Sequence, residues 1–221
     1  MTNQEILGHI DHTQLKPFAT WKDIVKLCDE AVEYQTASVC IPPAYIKRVH
    51  EKYGSQINIC TVVGFPLGYS VTSAKVAEVE QALLDGCNEI DMVVNISDVK
   101  NGDYTKVEEE IKTLKKACGS HVLKVIIETC FLTEEEKIAM CQAVTNAGAD
   151  YIKTSTGFGT GGATIEDIEL FKKHIGADVK MKAAGGVKTR DDLVMFLEAG
   201  CDRIGTSSAV GLLKGEEAKG Y

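Results

Sequence analysis

The sequence predicts an α/β chain folded as a single parallel (β/α)8 barrel. Three observations carry this reading. Short β-branched runs alternate eight times with helix-like stretches, a pattern that favours parallel strands joined by right-handed crossovers. The junctions repeat: DGCNEID, NAGADYIK and EAGCDRIG each read as a helix end, a glycine cap and a buried strand. The 221 residues suit one closed barrel, since such domains run to about 200–250 residues.

In order, strands are expected at residues 9–13, 38–41, 57–63, 89–94, 122–128, 151–155, 180–184 and 203–206. The helix expected at 21–34 follows Thr20, a residue suited to an N-cap. The next, 43–53, carries proline in its first turn. Helices at 71–85 and 103–117 stop near Gly86 and Gly119. Thr133 and Glu136 have capping-box spacing at the head of 133–147, which closes at Gly148. Helices at 164–174, 189–199 and 207–213 complete the series. The rival is an open doubly wound sheet. It would carry a G-x-G-x-x-G turn after its first strand, yet residues 14–20 contain no glycine. No linker or composition break divides the chain. Residues 1–221 are therefore expected to form one catalytic TIM-barrel domain with a short flexible tail at about 214–221.

A net charge of −8 disfavours a nucleic-acid partner, which usually selects a basic face. It does not exclude a small anion, whose site depends on local amides and a few cations. The eight cysteines are scattered singly through apolar stretches, with no C-x-x-C pair. They are expected to be reduced, mostly buried thiols of a cytoplasmic protein. The N-terminus lacks signal-peptide features and no apolar run reaches membrane-spanning length, so no membrane partner is expected. The expected assembly is a homo-oligomer, a dimer before larger forms.

Strands buried on both faces should be continuously apolar. Here Asp91, Lys124 and Glu128, Lys153, and Lys182 interrupt four of them. Alternation places Lys124 and Glu128 on one face, and puts Lys153 and Lys182 near the C-terminal ends of their strands, where barrel enzymes hold their chemistry. One such lysine would usually be solvated or paired for packing. Three lysines and an aspartate on inner strands point to function, because each unpaired buried charge costs several kcal/mol. An amine beside a second ammonium in a dry site loses its proton more easily. Uncharged, it can attack a carbonyl and form an iminium ion, which stabilises the carbanion left when a neighbouring C–C bond breaks. An Asp–Lys pair supplies the proton relay. Strand patterning leaves open whether Lys153 or Lys182 is the nucleophile.

Glycine-rich loops follow the last three strands: Thr154-Ser155-Thr156-Gly157-Phe158-Gly159, Ala184-Gly185-Gly186-Val187-Lys188 and Gly205-Thr206-Ser207-Ser208. Loops in these positions form the usual phosphate cup of a barrel, because glycine lets amides approach an anion. The five histidines form no H-x-H or H-E-x-x-H set. No metal site and no cofactor are expected, and His12 is read as a packed residue.

The motifs IDHT, SVCIP, GFPLG, EIDMVVN, LKVIIET, IKTSTGF, KAAGGV and RIGTS run in order from residue 10 to residue 207. Together they resemble the deoxyribose-phosphate aldolases, class I enzymes, and IKTSTGF is the most specific of them. The resemblance implies reversible cleavage of 2-deoxy-D-ribose 5-phosphate to D-glyceraldehyde 3-phosphate and acetaldehyde, within deoxynucleoside catabolism. It implies Lys153 as the Schiff-base residue, Lys182 as the neighbour that eases its deprotonation, and Asp91 as proton donor and acceptor. Gly157, Gly185, Gly186, Ser207 and Ser208 would hold the phosphate, with Thr156 beside them, while Asp11 and Thr13 would meet substrate hydroxyls. Lys188 stands where relatives carry arginine. Lys124 would complete the charge network. Cys40 is expected to be a buried thiol, and to be the point of aldehyde attack if it is accessible. Terminal Tyr221 is a candidate proton shuttle over the mouth.

Three rival readings remain, the first being another Schiff-base barrel aldolase. A phosphosugar isomerase would use the same cup with a carboxylate base and no lysine nucleophile. A non-catalytic sugar-phosphate sensor would need the loops but not the lysine pair.

Overall fold

The computed structural model describes residues 1–215. Residues 216–221, and with them the Tyr221 expectation, lie outside the described residues. Eight parallel strands close into a barrel in sequence order: β1 (Ile10–Thr13), β2 (Ser38–Ile41), β3 (Ile59–Val63), β4 (Glu89–Val93), β5 (Val122–Ile126), β6 (Tyr151–Lys153), β7 (Lys180–Ala184) and β8 (Arg203–Thr206). Closure is made by β1 against β8, with Ile10 opposite Ile204 and Asp11 opposite Gly205. All eight expected strands are present.

The helices between them are α2 (Trp21–Tyr34), α3 (Ile46–Tyr53), α4 (Thr72–Leu84), α6 (Tyr104–Cys118), α7 (Glu134–Asn146), α8 (Ile165–His174), α9 (Arg190–Ala199) and α10 (Ala209–Leu213). Two short helices were not expected. α1 (Asn3–Leu7) carries a complete Thr2–Glu5 capping box and packs on α9 and α10. α5 (Ile96–Lys100) is capped by the Asn95 side chain. Thr20 and Thr133 form the capping boxes read from the sequence. Pro43–Tyr45 is a 3-10 turn, so α3 begins three residues later than expected.

The apolar core lies between the barrel and its helices. Val39, Ile41, Ile90, Met92, Leu123, Val125, Ile152 and Ile204 point outward into it and are fully buried. The alternate residues point inward, and this is where the charges lie: Asp11, Glu89, Asp91, Lys124, Lys153 and Lys182 are all buried. His12 faces outward, with Nε2 2.8 Å from Glu30 on α2, which fits its reading as a packed residue.

One strand boundary differs in a way that matters. β5 ends at Ile126, because Glu128 adopts φ 54° and turns the chain into a 3-10 segment. Glu128 therefore does not share the inner strand face with Lys124. It is 2% exposed, and its carboxylate serves the loop after β6 instead.

Candidate active site

Strand register brings the inner charges together. Asp91 stands opposite Lys124 across β4 and β5, and Lys153 stands opposite Lys182 across β6 and β7. The Asp91 carboxylate is the hub. Its Oδ2 accepts from Lys153 Nζ at 2.7 Å and from Lys182 Nζ at 2.7 Å, and its Oδ1 accepts from Lys124 Nζ at 3.0 Å. The two late ammonium groups share one oxygen, so their nitrogens lie no further apart than two such contacts end to end. Lys182 also donates to Asp11, and Lys124 to Glu89. Arg203 spans Asp11 Oδ1 at 2.6 Å and Glu89 Oε1 at 3.3 Å.

The electrostatics follow from this pairing. Burial disfavours each charged form, but the opposing charges outweigh it. Burial pushes the Asp91 carboxyl up, yet Lys124, Lys153 and Lys182 hold it well below the ordinary carboxylate value. Asp11 is likewise held down, by Lys182, Lys124 and Arg203. Burial lowers Lys182 and Lys124, but Asp11 and Asp91 lift Lys182 above the usual lysine value, and Asp91 heads the groups that lift Lys124. Four basic side chains (Lys124, Lys153, Lys182 and Arg203) thus meet three carboxylates (Asp11, Glu89 and Asp91). Among the described residues Lys153 has the fewest carboxylate partners, touching Asp91 alone.

Beside the lysines the late loops enclose a pocket of ≈ 190 Å³ lined by Gly157, Gly185, Gly186, Lys188, Gly205, Ser207 and Ser208, among others. Gly185 and Gly186 have φ 75° and 77°. Both glycines line the pocket, and their lack of a side chain leaves the backbone open to a close-approaching anion. Gly205 joins pocket to cluster: a Cβ there would lie 3.1 Å from Lys182 Cε, so glycine lets the lysine pass beneath the pocket wall.

Residues 6–217 match the profile of the DeoC/LacD family aldolases. The chain belongs to this aldolase family. Among its relatives, a deoxyribose-phosphate aldolase of Clostridium botulinum (strain Alaska E43 / Type E3) is 73% identical over 221 residues, the whole of both chains. One from Clostridioides difficile (strain 630) is 58% identical over 218 residues, covering 99% of this chain and 100% of that one. The solved deoxyribose phosphate aldolase of Aeropyrum pernix, a tetramer, superposes with a TM-score of 0.90 at 30% identity, covering 97% of this chain and 92% of that one. As a member of the family the protein is a carbon–carbon lyase of the aldolase class. Among the described residues, no helix is long and apolar enough to cross a membrane.

In this aldolase the other sequence candidates fall into distinct places. Thr13 Oγ1 donates to the backbone of Asp11 at 2.7 Å, and both are buried in the barrel. Cys40 is fully buried, as expected, next to Cys60 on β3. Thr156 does not line the pocket; it is buried beneath the loop. Its hydroxyl donates to the Glu128 carboxylate, and its amide donates to Glu128 Oε1 at 3.2 Å. Thr156 Oγ1 in turn accepts from the Phe158 amide at 2.9 Å. Glu128, Glu89, Arg203 and the loop residues Thr160 to Gly162 were not singled out from the sequence as site residues. The first three sit at or beyond a strand end, where a charge is ordinarily solvated. The glycines of residues 157–162 were legible as a loop, but their approach to Gly185 was not.

Proposed function

We propose that the chain reversibly cleaves 2-deoxy-D-ribose 5-phosphate to D-glyceraldehyde 3-phosphate and acetaldehyde through a Schiff base on Lys153. The observation that carries this reading is the count of four basic groups against three buried carboxylates. Releasing one proton neutralises the set. Among the described residues Lys153 is the amine with a single carboxylate partner, and that partner, Asp91, is also held by Lys124 and Lys182. This pairing favours Lys153 over Lys182 as the nucleophile. Identity of 73% to a relative named for this reaction supports the substrate.

The steps follow from the groups in reach. Uncharged Lys153 Nζ adds to C1 of the open-chain sugar, and water leaves to give an iminium ion. A base removes the C3 hydroxyl proton, C2–C3 breaks, and glyceraldehyde 3-phosphate departs as the electron pair moves into the iminium to give an enamine. C2 then takes a proton, and hydrolysis frees acetaldehyde. Asp91, which touches both late lysines, carries protons in and out, with Lys182 as the permanent cation beside it. The pocket of Gly157, Gly185, Gly186, Ser207 and Ser208 takes the phosphate, and Asp11 with Thr13 lies toward the sugar hydroxyls. Homo-oligomerisation belongs to the same reading, as the Aeropyrum pernix relative is a tetramer.

Incubation with 2-deoxy-D-ribose 5-phosphate and borohydride is expected to leave a stable mass increase on the peptide carrying Lys153. No adduct, as for an isomerase, or an adduct on Lys182 alone would overturn the assignment. The loop clamp gives a second test. Glu128→Gln keeps the side-chain size but weakens the hold on Thr156, at a cost of about 1–3 kcal/mol if carried into phosphate binding. The KM for the phosphorylated sugar is expected to rise about 10-fold, while kcat/KM for unphosphorylated 2-deoxyribose stays level. An equal fall for both sugars would remove the link between Glu128 and the phosphate loop.

A further inference from the structure

Two thiols adjoin the Asp91 hub, and nothing in the proposed reaction uses them. Cys40 on β2 and Cys60 on β3 stand directly opposite in register. Both are fully buried and free of disulfides. Cys60 Sγ donates to Asp91 Oδ1 at 3.1 Å and accepts from Lys124 Nζ at 3.4 Å. Among the described residues, the ligand atoms of Cys40, Cys60 and Asp91 all lie within 4.8 Å of one another.

We propose that Cys40, Cys60 and Asp91 form a latent inhibitory site for a thiophilic divalent cation of the Zn2+ or Cd2+ class. Two sulfurs and one carboxylate oxygen are the donor types such ions take, and three protein ligands leave a fourth position open. With Zn–S near 2.3 Å, a tetrahedral ion separates its ligand atoms by about 3.7 Å, so small rotamer changes complete the site.

Charge balance permits the exchange. The cation enters with charge +2 and two thiol protons leave to solvent, so the buried cluster keeps its net charge although Lys124 is adjacent. A disulfide fits the same pair less well. Opposed residues on parallel strands keep their Cβ atoms about as far apart as the strands, about 4.8 Å. A disulfide draws them to about 3.5–4.5 Å.

Access is short. Leu15, Cys40, Cys60 and Val62 form a small cluster separate from the main core, with half-buried Phe65 packed on it. Leu15 and Phe65 belong to the loops after β1 and β3, so this layer lies at the mouth that any reactant of Lys153 must pass. Occupation would draw Asp91 Oδ1 away from Lys124 and fix the carboxylate that Lys153 and Lys182 share. The inhibition rests on the proposed role of Asp91; the binding does not.

The test uses the full chain, reduced and free of chelator, titrated with ZnCl2. One Zn2+ per chain is expected, with cleavage activity lost in proportion and restored by a chelator. X-ray absorption should show two sulfurs at about 2.3 Å. Outer-shell changes alone shift metal affinity about 10–100-fold, so Cys60→Ala, which loses a ligand outright, should raise the half-inhibiting Zn2+ concentration about 100-fold or more. Cys130→Ala, at the one thiol that is not buried, should leave it unchanged. Equal inhibition of Cys60→Ala, fewer than two sulfurs around the ion, or inactivation reversed by a reductant but not by a chelator would each overturn the site. Two-sulfur binding without loss of activity would keep the site but overturn its inhibitory role, and would count against Asp91 as proton carrier. If Cys60→Ala does not fold, the absorption spectrum of the parent chain decides.

Discussion

Lys153→Met is expected to fold normally and to lose cleavage activity by a factor on the order of 10^6, the scale for removing a covalent nucleophile. Methionine approximates the length of the lysine stem and adds no charge. The Asp91 Oδ2 that Lys153 held keeps Lys182 at 2.7 Å, so no buried carboxylate loses its last partner. If the lysine is uncharged in the resting enzyme, the variant leaves the cluster's charge unaltered, and its melting temperature should stay close to that of the parent. Lys153→Arg separates this reading from simple ion pairing. Arginine is a permanent cation, and the cluster would then hold four fixed positive groups against Asp11, Glu89 and Asp91. It should be as inactive as the methionine variant and distinctly less stable. Calorimetry and a coupled assay for glyceraldehyde 3-phosphate read both quantities. If arginine proves the more stable of the two, Lys153 is an ammonium held for structure and the charge argument fails.

Much of this was legible in the sequence, because charged residues inside runs such as EIDMVV and VLKVII contradict the burial those runs require. Asp91, Lys124, Lys153 and Lys182 announce themselves in that way. The eight strands and the Thr20 and Thr133 caps were legible for the same reason, as local chemistry with a fixed period. Glu89 and Arg203 were not. Each begins its strand, where a charge ordinarily meets solvent, and only the barrel's register carries them inward to meet Lys124 and Asp11. Glu128 was misplaced because alternation assumes an unbroken strand, whereas β5 ends at Ile126 and the Glu128 backbone is left-handed. The opposition of Cys40 and Cys60 likewise depends on the stagger between neighbouring strands, which no single segment encodes.

Asp91→Asn should be the most damaging conservative change to stability. The carboxylate accepts from three lysines and from Cys60 Sγ. An amide offers one acceptor oxygen, and its NH2 group must face at least one ammonium. The cluster also gains one net positive charge with no route to water. Removing one partner from a buried ionic set costs about 3–5 kcal/mol. At about 2–4 °C per kcal/mol for a chain of this size, the melting temperature should fall by roughly 10 °C. Activity should fall about 10²–10⁴-fold if Asp91 carries protons. The pH dependence identifies the cause. The folded carboxyl lies well below its ordinary value of 3.8. Its stabilisation is therefore complete above that pH and declines as the pH falls toward the folded value. The stability gap between parent and Asp91→Asn should be widest near neutrality. Below about pH 4 it should narrow by about 1.4 kcal/mol per pH unit, since one proton distinguishes the two states. Denaturant melts at neutral pH and near pH 3 measure this directly. A gap of constant size across that range would mean that asparagine harms packing alone, and that the carboxylate charge does not hold the three lysines together.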